Sequence, residues 1–223
     1  MPVQSKIKYV LFFVLLNLIT YFSIQALITT NEFDFTTTLD KQIPFVPEFI
    51  WAYHTLIPVI GISMVMLLKR RDVFLTTFFA FLLATLVLSL FYIFLPSFYP
   101  RTAIVDVNLS TWLVSLTRII DGPHNTFPSG HVTFSWLIVF AVYGSTYAKK
   151  CTWAKTAYTL WAILISISTL TLKQHYIIDV ASGFLLAAIC YFSIKKILMN
   201  RLQRPNYIEA TAREELTGHG AGI

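Results

Sequence analysis

The sequence predicts an all-α, polytopic membrane protein with six transmembrane helices and both termini on the cytoplasmic side. Three observations predict it. Of 223 residues, 56% are hydrophobic and 13% charged, whereas a soluble domain carries about 25% charged residues. Mean hydropathy is +0.67, and six apolar runs approach the roughly 20 residues that span a bilayer core. The basic residues sit beside those runs, where lipid headgroups account for the net charge of +6 better than nucleic acid does. Cys151 and Cys190 are too few and too far apart for a disulfide framework or a thiolate metal site.

Met1 to Lys8 is a basic leader, and Tyr9 to Thr29 is the first span. It is too long, and too free of a small-residue cleavage site, for a secretory signal peptide. An acidic loop, Asn31 to Glu48, contains Pro44 and Pro47. The second span runs from Phe49 to Leu68 and ends at Lys69-Arg70-Arg71. The third, Val73 to Leu95, is uncharged and is closed by Pro96. In the long connection from Pro96 to Asn125, Val107, Leu109, Trp112, Leu113, Leu116 and Ile120 recur at helical spacing. Val105 to Ile120 is therefore expected to form a short helix lying on the membrane or partly covering a site. The fourth and fifth spans, His131 to Ala148 and Trp153 to Leu172, meet at a turn holding Lys149 and Lys150. The sixth is Ile177 to Leu198. One membrane domain, 1–198, is thus expected, followed by a weakly ordered cytoplasmic tail, 199–223.

Basic residues set the orientation. With the N-terminus inside, thirteen of the seventeen Lys and Arg residues fall on the cytoplasmic side, and only Lys41, Arg101, Arg118 and Lys173 fall outside. This topology brings two polar clusters to the outer surface. Asn125-Thr126-Phe127-Pro128-Ser129-Gly130-His131 opens the fourth span, and Lys173-Gln174-His175-Tyr176-Ile177-Ile178-Asp179 joins the fifth to the sixth. Pro128 suits a first helical turn, and the helix start that follows it favours anions. His175 and Asp179, four apart, share a helix face, so the carboxylate can fix one imidazole nitrogen and free the other as nucleophile or base. A carboxylate at a membrane span also points to function unless it has a partner. Arg101 and Lys173 add cations suited to phosphoryl oxygens. Two histidines, one carboxylate and two cations suit phosphoryl transfer, one histidine attacking phosphorus and the other protonating the departing oxygen.

The segment Phe127-Pro128-Ser129-Gly130-His131, with His175 and Asp179 separated by three residues, resembles the type-2 phosphatidic acid phosphatase superfamily of membrane enzymes. The resemblance covers Phe49 to Ile197. It implies that Ser129, Gly130 and Arg101 bind phosphate, that His175 forms a phosphohistidine oriented by Asp179, and that His131 is the general acid. It implies no metal or other cofactor. Phe94 stands where the family has Lys and Thr169 where it has Arg, and Lys173 is positioned to supply the missing charge. Lys173-Gln174-His175-Tyr176, together with Asp121, Pro123 and Asn125, is similar to the branch that includes inositol phosphorylceramide synthases, which moves a headgroup to another lipid.

The expected protein is therefore an integral membrane lipid phosphatase, with transfer to a second lipid or polyprenyl acceptor as the alternative. Its partners are a phosphorylated lipid and the bilayer, and its location is a bacterial inner membrane with the site on the periplasmic or extracellular side. Asn125 and His54 are accessory candidates, His54 being explained as well by a polar contact between helices. A metal site built from His54, His131 and His175 lacks ligand spacing on any one helix. His124 and His219 read as solvated, and Trp51, Tyr99, Trp112 and Tyr176 as interfacial aromatics. A transporter is the competing class, but it favours polar groups near the midplane and paired repeats. A structural scaffold would leave the two histidine-bearing helix starts without a role.

Overall fold

Helices α1 (Val3–Leu27), α5 (Arg71–Phe94), α7 (Gly130–Gly144), α8 (Thr152–Thr171) and α9 (Ile177–Leu202) make up most of a computed structural model. The structure describes residues 1–28, 33–101, 103–105, 107–146 and 151–202, with side chains as far as 200. Glu32, Thr102, Asp106, Lys149, Lys150, Arg204, Arg213, His219 and the rest of the predicted tail beyond 202 lie outside the described residues.

The architecture is all-α. Val3–Leu27, Pro47–Leu67, Arg71–Phe94 and Ile177–Asn200 are each long and apolar enough to cross a membrane. The fourth predicted span forms α7, which at 15 residues is about 22 Å long by helical rise and shorter than a bilayer core. It is sheltered by α5, α8 and α9, all of which pack on it. The fifth forms α8, whose Thr159, Ser166, Ser168, Thr169 and Thr171 return hydrogen bonds to the preceding turn and make it less apolar. Phe74, Phe81, Leu137, Ile138 and Ile165 are the fully buried centre of the core. Outside it, Leu11, Leu15, Ile57, Leu86, Leu160 and Leu185 are exposed, as a lipid-facing surface requires.

The second predicted span is broken. Residues 47–49 form a 3-10 turn, followed by α3 (Ile50–Tyr53), α4 (Leu56–Ile62) and a π-helical turn at Ser63–Leu67. Pro58 lacks the N–H that would bond the His54 carbonyl, so the helix opens just there. The Thr55 hydroxyl donates back to the Ala52 carbonyl at 2.6 Å and accepts from Trp161 Nε1 at 2.9 Å. At the other end the π turn leaves carbonyls without helical donors. Lys6, assigned by the charge distribution to the cytoplasmic side, is 3% exposed. Its ammonium donates to Leu68 O at 2.9 Å and Val65 O at 3.2 Å.

The acidic loop contains a short helix, α2 (Thr38–Gln42), held by a capping box between Thr37 and Asp40. The expected surface helix is α6 (Leu109–Asp121), with its own capping box between Asn108 and Thr111. Thr111, Val114 and Thr117 turn inward, while Trp112, Leu116, Ile119 and Ile120 are exposed. An apolar face turned away from the protein is what a helix resting on a bilayer presents.

Candidate active site

The two predicted clusters meet because α9 crosses the start of α7 at a glycine. A Cβ at Gly183 would lie 2.7 Å from Ser129 O, closer than such atoms approach. Ser129 N donates to Asp179 O at 3.0 Å, and the Thr133 hydroxyl bridges Ser129 O and Gly183 O. A second clamp joins the loop after α5 to the loop before α7. Ser97 Oγ accepts from Phe127 N at 2.9 Å and from the Thr126 hydroxyl at 2.8 Å, and Tyr99 N donates to Pro123 O. Arg101 and Asn125 thereby reach the same place as the histidines.

His131 and His175 face one another with ring centroids 6.1 Å apart. His175 Nδ1 lies 2.8 Å from Thr126 O and 3.3 Å from Asp179 Oδ2. Both neighbours are acceptors, so Nδ1 carries the proton and Nε2 is left with its lone pair. The orienting group predicted from sequence, Asp179, thus shares its task with a backbone carbonyl that makes the shorter contact. Asp179 Oδ2 also accepts from Tyr176 N at 2.9 Å, which locks the carboxylate at the start of α9.

A cavity of about 300 Å³ opens beside the two rings. Its polar end is lined by Arg101, Asp121, Asn125, Gly130, Gln174 and both histidines. The rest of its lining is mostly apolar and comes from α1 (Phe13, Leu18, Phe22), α4 (Ile57, Ile60), Leu88 of α5 and Phe134 of α7, with Asn17, Thr85 and Ser89 as polar interruptions. Asn125 and Gln174 are 3% and 2% exposed, yet neither polar atom of Asn125 nor Gln174 Nε2 has a partner among the described residues. Arg101 Nε is in the same position, although its Nη atoms donate to Arg118 O and Gln174 Oε1. Buried donors left open are costly. They line one cavity beside a helix N-terminus, where open N–H groups can donate to anionic oxygens. Burial lowers Arg101 from its ordinary range, against the pull of Asp121. Burial and the adjoining Arg101 bring Arg118 down to about 10.

Several predicted residues stand elsewhere. The Lys173 ammonium turns away from the cavity and donates to Asp40 O at 2.9 Å. With φ at +56°, its backbone points the side chain at α2 instead of the site, and Gln174 occupies the position beside the histidine. Ser129 is fully buried and uses its hydroxyl to cap α7 through Val132 N, while Gly130 does line the cavity. His54 sits behind Tyr53, with Nε2 3.0 Å from the Thr117 hydroxyl of α6. His124, read as solvated, lines the cavity with its Nδ1 unpartnered among the described residues. Burial and then Arg101 lower its titration.

Sequence reasoning passed over Thr126, Gln174, Asp121 and Tyr53 as site residues. The first acts through its backbone. Gln174 and Asp121 stood inside motif strings already quoted, where an uncommitted polar side chain beside a catalytic candidate was the available signal. Tyr53 lay in a span read as one continuous helix.

A family described as the PAP2 superfamily matches residues 25–193, a segment that takes in every cavity-lining residue named above from α4 onward. No curated protein matches the chain.

Proposed function

The chain belongs to the PAP2 superfamily, and from that premise we propose a membrane enzyme that transfers phosphoryl groups from a lipid phosphate through a phosphohistidine at His175. Membership supports a phosphatase- or phosphotransferase-type enzyme of the membrane. The observation that carries the finer reading is the pair of imidazoles 6.1 Å apart on one cavity, with His175 held at Nδ1. Nε2 of His175 attacks phosphorus, and the bond to the leaving oxygen breaks as His131 gives that oxygen a proton. A water or hydroxyl then attacks the phosphohistidine, His131 takes its proton, and the P–N bond breaks. Arg101, the amides of Asn125 and Gln174, and the start of α7 hold the non-bridging oxygens. We place this site at the outer face of a bacterial plasma membrane, with six spans and cytoplasmic termini, from the distribution of basic residues. The apolar wall from α1 and α4 suits the lipid's chain.

One observation favours transfer of a phospho-headgroup over hydrolysis of a monoester. Among the described Lys and Arg residues, Arg101 alone lines the cavity, and Lys173 is turned to Asp40. A phosphomonoester brings nearly two negative charges and a phosphodiester one, so a single cation with neutral amides matches the diester.

The test is purified full-length protein in detergent given phosphatidic acid, phosphatidylglycerol phosphate, polyprenyl pyrophosphate and a diester phospholipid with a lipid acceptor. Free phosphate and new phospholipid are scored separately. Activity that persists in excess EDTA and is inhibited by vanadate supports the reading. Activity that is abolished by EDTA and restored by a divalent ion, or that ignores millimolar vanadate, counts against it.

A further inference from the structure

The last residue of α6, Asp121, stands where three helices meet over His131. Its Oδ1 accepts from the Tyr21 hydroxyl of α1, which also reaches Asp121 O at 3.0 Å. Its Oδ2 accepts from the Tyr53 hydroxyl of α3 at 3.2 Å. Tyr53 is 4% exposed and stacks on the His131 ring with centroids 4.1 Å apart and planes 27° from parallel. Its hydroxyl oxygen lies 3.4 Å from His131 Nδ1. An ionised carboxylate has no proton to give, so the single Tyr53 proton points at Asp121. The lone pairs of the Tyr53 oxygen are then what His131 Nδ1 meets.

Resting on the phosphoryl-transfer reading, we infer that Asp121 is a positioning residue for the proton donor: through the Tyr53 hydroxyl it keeps His131 protonated at Nδ1 and so presents Nε2 to the leaving oxygen. Before transfer His131 carries protons on both nitrogens. The Nε2 proton goes to the departing oxygen as the phosphorus–oxygen bond breaks, and the Nδ1 proton stays, bonded to Tyr53. Asp121 and Tyr53 keep their own protonation throughout. The negative charge of Asp121 favours the cationic imidazole that must exist before the step. The device parallels the other ring, where Thr126 O and Asp179 hold His175 Nδ1, so both imidazoles are anchored by the same nitrogen and offer the other to the cavity.

Other titratable and charged groups also face this pair. Tyr92 of α5 and Arg101 from the following loop lie near Asp121 and Tyr53, and His54 and His175 lie near His131. None of these four supplies a negative charge to His131 at neutral pH, which leaves that task to Asp121.

The experiment uses full-length, 15N-histidine-labelled protein in detergent, with His131 assigned by its loss in His131→Ala. The neutral His131 ring is expected as the Nδ1–H tautomer, and Tyr53→Phe and Asp121→Asn are expected to shift it toward a mixture. In turnover, both variants are expected to lose about 10- to 100-fold in kcat with little change in KM. The high-pH limb of the kcat profile is expected to move down by about one unit in Asp121→Asn. Tyr53→Phe keeps the ring stack and carries the test if Asp121→Asn does not fold. A wild-type Nε2–H tautomer, or an unchanged tautomer and an unmoved pH limb in the variants, overturns the proposal. Wild-type protein inert on every lipid would refute phosphoryl transfer instead, and the ring spectra would still decide the positioning.

Discussion

Two walls face each other across the cavity, and they are built in opposite ways. On the α7–α9 side, nine of the 15 residues of α7 are buried, and the backbones touch at Gly183 and Ser129. On the α1–α4 side, four of the 25 residues of α1 are buried, and α4 is separated from α3 by the turn at His54 and Thr55. The densely packed wall holds imidazoles within the tolerance that chemistry needs. The other wall turns much of its apolar surface outward, where a lipid chain can lie against it. In the proposed reading the reactive groups stand on the more buried side, and the lipid's hydrocarbon meets the more exposed one.

The largest effect expected on the more buried wall is from His175→Ala, which should reduce turnover by about 10³-fold or more while leaving expression intact. Phosphate release or headgroup transfer measures it, and near-wild-type activity would remove the proposed nucleophile. Gly183→Ala should come next. The added methyl must push Ser129 O away, costing about 1–3 kcal/mol of stability and separating the two histidines. Thermal melting and turnover are expected to fall together, and a fully active, fully stable variant would show that the crossing is not held by that contact.

Asn125→Ala and Gln174→Ala test the open donors between the walls. Each is expected to lower kcat/KM by about 10- to 100-fold, the range for a hydrogen bond to a charged group, and a fall in kcat/KM larger than any accompanying fall in melting temperature explains is the result that supports the reading, since neither amide nitrogen has a partner among the described residues. On the more exposed wall, Gly61→Leu should act on the lipid's chain alone. Nothing lies within 4 Å of a Cβ built there, so the side chain enters the groove freely. KM should rise for long-chain lipids and stay level for short-chain analogues, and equal effects on both would place the chain elsewhere.

The smallest expected effect belongs to Asp40, whose Oδ1 accepts from Ile177 N at 2.8 Å and so caps α9 from another helix. Burial alone would raise its titration, but hydrogen bonds from Thr37 and Ile177 hold it below the ordinary 3.8. That stabilisation is present above about pH 4 and is lost as the pH falls and the carboxylate protonates. Asp40→Asn should therefore lower the melting temperature at neutral pH and converge on the parent in acid.

The legible part of this protein is the part written in periodicity and in adjacent residues. Apolar run length revealed the helices, because each must bury or oil its own surface over a bilayer's depth. The spacing of His175 and Asp179, and the motif ending in His131, revealed the imidazoles, because a helix turn fixes neighbours four apart. The break in the second span was already carried by Pro58, but one missing N–H is a faint signal within twenty apolar residues. Tertiary packing alone decided which polar groups were left over. Lys173 and Gln174 are adjacent in the chain, and only the placement of α2 sends the cation to Asp40 and leaves the amide facing the cavity. Likewise Tyr21, Tyr53 and Asp121 are strangers in sequence until α1, α3 and α6 converge. Local pattern determines where a side chain starts, and the partners that claim it come from segments that no local pattern can see.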